Sequence, residues 1–351
     1  MPADGLGCAR RVIGRGAVAP LAFLVASLVI GCTPIGEGDG GGGASPDAGG
    51  ASPGAEETGA AGGQLTIATG GTGGVYYPLG GGLADVISEN LTGYTATVSE
   101  TNASVDNMLL IADGGADIAF ALADTASDAV NGTADFEGSP VEACALARIY
   151  DNYTQILTSS ASGIASVADL AGKRVSLGSP GSGTEVIALR ILEAAGIDPD
   201  ADIERQGLGI DDTVAGLRDG TIDAGFWSGG LPTGALVDYA TTGEMVLIPN
   251  AEFTAPMTEQ YGEVYTEGVI PADTYEGQAE DVSSVVVANV LVVNPSMPED
   301  LQRDLTALLF DHKADLVAVH PAAEALDPAV AQEVPFMDIC PGSQAYYDEQ
   351  G

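Results

Sequence analysis

Positive charge is what this sequence lacks most: 11 Lys and Arg stand against 50 Asp and Glu in 351 residues, a formal net charge of −39. A field that negative argues firmly against nucleic acid or an anionic membrane surface as a partner, because both repel it. Histidine is rarer still. His312 and His320 are the only two, and no Cys-x-x-Cys spacing occurs, which argues against a zinc site. The same scarcity removes the usual base for an activated serine, and no nucleophile–base pair stands out. The chain is read as a non-enzyme with no metal and no cofactor. Of four cysteines, Cys8 and Cys32 fall near the start, which leaves Cys144 and Cys340 for the rest, and Trp227 is the single tryptophan.

What is present begins with an export pattern. Arg10, Arg11 and Arg15 precede an apolar run over residues 18–30, followed by Gly31-Cys32. The run is short for a spanning helix, and the order of basic, apolar and small residues is that of a signal peptide, residues 1–31. Val29-Ile30-Gly31-Cys32 resembles a bacterial lipobox, which implies cleavage before Cys32 and a lipid on its thiol; an uncleaved anchor is the alternative. Either way the remainder is expected outside the cytoplasmic membrane, at the cell surface or in the periplasm. Residues 32–63 are Gly, Ala, Ser, Pro and acid, too poor in apolar surface to order themselves, and read as a flexible tether. Residues 1–31 hold three Arg and one Asp, so the mature chain has 8 basic and 49 acidic residues, a net of −41. In that compartment Cys144 and Cys340 are expected to pair. The bond would close a loop of nearly two hundred residues, worth roughly 5 kcal/mol in the chain-entropy model. Two separate buried cysteines are the alternative.

Two glycine turns organise the folded part. Residues 173–177 read as a strand, Gly178-Ser179-Pro180-Gly181-Ser182-Gly183-Thr184 as a turn, and an amphipathic helix follows with Val186, Ile187, Leu189, Ile191 and Leu192. Such a layout gathers free backbone N–H groups at a helix N-terminus, where they and the dipole favour an anion. Ser179, Ser182 and Thr184 add hydroxyl donors. About a hundred residues earlier the logic repeats: a strand over 65–69, the turn Gly70-Gly71-Thr72-Gly73-Gly74, and a helix opening at Val75-Tyr76-Tyr77. One turn alone is explained by geometry; two hydroxyl-bearing turns in matching places point to binding. The resemblance of the second turn to a nucleotide P-loop is weak, because the Lys before Ser/Thr is missing.

Strand and helix alternate from residue 64 to about 131, a long β-rich stretch covers 144–160, and alternation restarts over 173–248. Residues 253–278 read as polar and irregular, 282–293 as the chain crossing back, and 298–319 as one helix with Leu301, Leu305, Leu308, Leu309 and Leu316 on its apolar face. Asp124 is placed to cap a helix. Thr101, Ser104 and Asn107 stand at another helix start, as caps or as cleft residues. Trp227 ends a strand at the edge where open α/β sheets bind ligands, as a cleft wall or a plug between lobes. Arg148 either pairs a ligand carboxylate or neutralises a nearby acid, and Asp117 and Asp223 read as structural.

The ordered set of motifs resembles the solute-binding subunits of TRAP transporters of the TAXI type. It comprises Ile67-Ala68-Thr69-Gly70-Gly71-Thr72-Gly73-Gly74-Val75-Tyr76-Tyr77-Pro78-Leu79-Gly80, then Thr101-Asn102-Ala103-Ser104-Val105-Asp106-Asn107, then the second turn. It continues with Leu217-Arg218-Asp219-Gly220-Thr221-Ile222-Asp223-Ala224-Gly225-Phe226 and Pro341-Gly342-Ser343-Gln344-Ala345-Tyr346-Tyr347. The resemblance implies an α/β fold of the type II periplasmic-binding kind, two lobes with a ligand cleft between them and two crossover strands. On that plan residues 64–158 form lobe 1, 159–282 lobe 2, and 283–351 return to lobe 1. It also implies an anionic ligand such as glutamate, glutamine or a dicarboxylate, delivered to the TRAP membrane permease subunits. Where the family usually has a histidine before the C-terminal Pro-Gly, this chain has Cys340. The expected contacts are Gly71, Thr72, Gly73, Tyr76, Thr101, Asn107, Ser179, Ser182, Gly183, Thr184 and Trp227. A surface-tethered sensor or scaffold on the same fold is the rival reading.

Overall fold

The computed structural model describes residues 62–242 and 244–351; the expected signal peptide, the lipidation of Cys32 and nearly all of the tether lie outside the described residues. β1 (Gly63–Ala68) runs through the first glycine turn into α1 (Tyr76–Asn90). β2 (Tyr94–Ser99), α2 (Ser104–Asp113), β3 (Ile118–Leu122) and α3 (Ala123–Asn131) continue the alternation. The long β4 (Cys144–Ser159) then leads to the second series. That series is β5 (Arg174–Ser176), α4 (Gly183–Ala194), β6 (Glu204–Gln206), α5 (Ile210–Asp219), β7 (Ala224–Gly229), α6 (Gly234–Ala240) and β8 (Met245–Ile248). The chain closes with α7 (Thr254–Tyr261), β9 (Tyr265–Ile270), β10 (Val282–Val293), α8 (Glu299–Asp311), α9 (Lys313–Val319), α10 (Pro328–Ala331) and α11 (Pro341–Gln350).

One sheet threads both halves in the order β2-β1-β3-β10-β4-β7-β5-β6, with β8 paired to β4 and β9 to β10. β1 is parallel to β2 and β3, and β5 is parallel to β6 and β7. The long strands β10 and β4 run antiparallel to these and to each other, so they are the two crossovers. Their sequences explain the position: β10 is buried along nearly its whole length, as a strand covered on both faces must be. Cys144 at the head of β4 is bonded to Cys340, 196 residues on, which ties the start of α11 to the sheet. Among the described residues no helix is long and apolar enough to cross a membrane.

Two expectations are corrected. The helix expected over 298–319 is two helices, broken at His312, whose backbone leaves helical geometry while its ring meets the Asp315 carboxylate at 3.0 Å. Leu316 still packs in the core with Leu305 and Leu309, so the apolar spacing survives the break and conceals it. Residues 253–278, expected to be irregular, contain α7 and β9. Only Tyr265 and Ile270 of β9 are buried, and the strand exists because it pairs with the free side of β10. Pairing supplied from elsewhere leaves no pattern in the sequence.

Candidate functional site

A cavity of about 240 Å³ lies where the N-termini of α1, α2, α4 and α5 converge on β4 and the end of β7. The second glycine turn forms its most developed wall. Ser182 caps α4, its Oγ accepting the Glu185 N–H at 3.1 Å. Thr184 Oγ1 likewise accepts the Ser228 N–H at 3.1 Å. Each hydroxyl is thus held by a backbone donor and retains its own O–H to donate. Gly183 and Thr184, the first two helical residues, have N–H groups without an intrahelical acceptor, and both line the cavity. Gly183 is also where the halves touch: a Cβ there would lie 2.5 Å from Leu122 Cδ1 and 2.7 Å from Ser104 Oγ.

Two residues of the wall, Tyr150 and Ser228, are only 4% and 5% exposed, and their hydroxyl oxygens are buried with no hydrogen-bond partner among the described residues. Leaving such a group unpaired costs about 1–3 kcal/mol. Burial raises the Tyr150 phenol well above its ordinary pKa, so it is a proton donor at any physiological pH. A buried polar chain runs behind these groups. The Tyr76 hydroxyl donates to Asn289 Oδ1, Asn289 Nδ2 donates to Asn152 Oδ1 at 2.8 Å, and Asn152 Nδ2 donates to the Ser228 carbonyl at 3.2 Å. It links α1, both crossover strands and β7. Trp227 forms a side wall, its indole pinned by a 2.9 Å bond from Nε1 to Thr233 Oγ1.

The first turn differs. Gly71 lines the cavity, but the Gly73 N–H donates to Asp211 Oδ2 from across the cleft at 3.1 Å, and Thr72 is exposed and off the wall. Thr101 reaches the wall. Asn107 does not: it is fully buried and braces the strand ends, donating to the carbonyls of Thr69 at 2.6 Å and Phe120 at 2.8 Å. Eight of the eleven expected contacts therefore line the cavity, namely Gly71, Tyr76, Thr101, Ser179, Ser182, Gly183, Thr184 and Trp227, and Thr72, Gly73 and Asn107 do not. Sequence reasoning missed Tyr150, Asn152 and Ser228. Polar residues at alternate positions of an otherwise apolar strand, as at 150 and 152, were the available signal.

Charge is distributed unevenly. No Lys, Arg or His lines the cavity, whereas Glu100, Asp211 and Asp212 stand exposed on its wall. Among the described residues no group of three or more His, Cys, Asp or Glu is placed to hold a metal ion. The halves are joined in front by Val105 and Asp106 N–H donating to the Gly181 carbonyl at 3.2 and 3.3 Å. Behind, Arg190 of α4 bonds Asp128 at 2.5 Å and the Tyr265 hydroxyl at 2.6 Å, and lies 3.6 Å from Asp124. Asp124, expected to cap a helix, is instead buried in this network and accepts from Tyr265 at 2.8 Å. Burial is the main influence on its pKa, which is raised despite Arg190. Arg148 neutralises Asp151 at 2.7 Å, and Asp117 and Asp223 hold strand ends.

The pattern of the NMT1-like family matches residues 67–351. Among solved structures, the binding protein component of an ABC phosphonate transporter from Pseudomonas aeruginosa is 11% identical with a TM-score of 0.52, over 74% of this chain and 78% of that one. PhnD1 from Prochlorococcus marinus, solved with methylphosphonate, is 11% identical with a TM-score of 0.51, over 75% and 90%. The periplasmic aliphatic sulphonate binding protein SsuA from Escherichia coli is 16% identical, over 81% and 82%, with a TM-score of 0.46. At such identities the likeness is one of fold: the chain has the α/β architecture of solute-binding proteins, as the sequence implied.

Proposed function

This chain belongs to the NMT1-like family, and on that premise we propose that it is an extracytoplasmic solute-binding lipoprotein that captures a small carboxylate and delivers it to a membrane permease. One observation carries the reading: the N–H groups of Gly183 and Thr184, without intrahelical acceptors, share a cavity wall with the hydroxyls of Ser182 and Thr184. Donors without acceptors at a helix N-terminus fit a carboxylate. Capture proceeds without chemistry. Residues 64–158 with 283–351 close against 159–282 about the crossovers β4 and β10, and the closed form docks on the permease. The motif resemblance supports a TRAP permease of the TAXI type, and the lipobox supports a lipid anchor at Cys32. The solute-binding fold of the phosphonate binders is in keeping with a small anionic group.

The test is a thermal-shift screen at low and high salt with glutamate, glutamine, C4 and C5 dicarboxylates, 2-oxoglutarate, monocarboxylates, sulfonates and methylphosphonate. A concentration-dependent rise in Tm for one compound is expected, since a ligand selective for the native state stabilises it. A flat response across the panel from folded, ligand-free protein removes the proposal.

A further inference from the structure

We infer that Tyr275, in the connector between β9 and β10, is a positioning residue for the binding cavity: acting through Thr233, its hydroxyl fixes the indole of Trp227 in the cavity wall. The inference rests on the binding role proposed above and adds what holds one wall in place. Residues 271–281 form the connector, and Tyr275 is its one buried residue, 2% exposed. The Tyr275 hydroxyl donates to Gln155 Oε1 at 2.6 Å and accepts the Thr233 N–H at 3.0 Å. Thr233 Oγ1 in turn donates to the Gly230 carbonyl at 2.9 Å and accepts the Trp227 indole N–H at 2.9 Å. Gln155 of β4 stands directly opposite Trp227 of β7, so the two side chains share a face of the sheet. The bonds therefore run from the connector to the indole and to its cross-strand neighbour.

Thr233 occupies the N-cap of α6, where a threonine hydroxyl ordinarily accepts from the helix's own N–H groups. Here it makes no such bond and is turned to the indole instead. Gln155 is fully buried, and Tyr275 is the one partner of its amide among the described residues. The indole also has no room to turn. A Cβ at Gly229 would overlap its nitrogen, and one at Gly74, in the first turn of the other half, would lie 2.9 Å from Trp227 Cη2. The ring thus reaches along the cavity wall from β7 to the facing half, and Gly74 and Gly229 line the cavity with it. Burial pushes the Tyr275 phenol up to about 12, so the hydroxyl keeps its proton throughout the physiological range. Without that hydroxyl the Thr233 N–H and the Gln155 amide are buried and unpaired. Thr233 then shifts towards other partners, and the indole N–H loses the fixed acceptor that a half-buried tryptophan needs.

Trp227 is the only tryptophan, so the tryptophan fluorescence of the full-length protein reports this indole alone. With no compound added, acrylamide quenching should rise about twofold in Tyr275→Phe, with red-shifted emission, as the unmade bonds free the ring. Tyr239→Phe is the control. That hydroxyl lies in the same apolar cluster and is buried without a partner among the described residues, so its removal should leave the quenching unchanged. Calorimetry with L-glutamate as the probe reads the consequence for the cavity: Tyr275→Phe should weaken binding about fivefold, and no further once Trp227→Phe is present. Unchanged quenching in Tyr275→Phe, or an equal rise in Tyr239→Phe, overturns the inference. A loss of affinity that persists in the Trp227→Phe background also overturns it, since Tyr275 then acts by another route. A parent that gives no heat counts against glutamate as the captured carboxylate, and the quenching comparison alone then decides the role of Tyr275.

Discussion

The turn after β1 and the turn after β5 hold equivalent places, each following the central strand of a three-strand parallel set, β2-β1-β3 in one half and β6-β5-β7 in the other. Both deliver a helix N-terminus to the same cavity. Yet the second keeps N–H groups and capped hydroxyls on the wall, whereas the first has its Gly73 N–H occupied by Asp211 and its hydroxyl, Thr72, turned off the wall. A helix N-terminus is a candidate anion site only while its donors are free. In the first turn a carboxylate of the facing half takes up a donor ahead of α1, the Gly73 N–H, and so makes that part of the turn a contact between halves.

Glycine substitution breaks the comparison hardest. Gly178 has φ of +99°, and a Cβ there would lie 2.8 Å from Thr184 Cβ, so Gly178→Ala should cost about 1–3 kcal/mol. Gly71→Ala in the first turn meets nothing within 4 Å and should stay within about 0.5 kcal/mol; denaturant midpoints measure both. The hydroxyls come next. Ser182→Ala/Thr184→Ala should weaken the best compound of the screen by tenfold or more while the fold persists, and Thr72→Ala should change it less than twofold. Equal losses in the two turns would contradict the asymmetry.

The smallest effect concerns an edge where the halves meet. The His320 ring accepts from Ala322 N–H at 3.1 Å and bonds the Pro232 carbonyl, and burial lowers its pKa. Between that lowered value and about 6.5 the unfolded chain binds more protons, so stability is lost as pH falls through this window. The Tm should drop slightly from pH 7.5 to 5.5, and His320→Gln should flatten that change relative to the parent.

Both turns, the two crossovers and the Cys144–Cys340 pair could be read in the sequence because each has a local signature: glycines before an amphipathic helix, long β-branched runs, and two thiols in an oxidising compartment. What escaped depends on partners distant in sequence. β9 is a strand through β10, Asp124 is buried through Arg190 and Tyr265, and Gly73 loses its donor to a residue 138 positions away. Asn107 stands at the expected helix start, but its side chain serves strand ends that only the assembled sheet brings together.

The central claim is that the second turn holds the ligand's carboxylate. A crystal structure with the tightest-binding compound of the screen tests it most directly. A carboxylate oxygen about 3 Å from the Gly183 or Thr184 nitrogen is the predicted result. A carboxylate seated on the first turn, or a ligand outside the cavity between the two turns, would contradict the account.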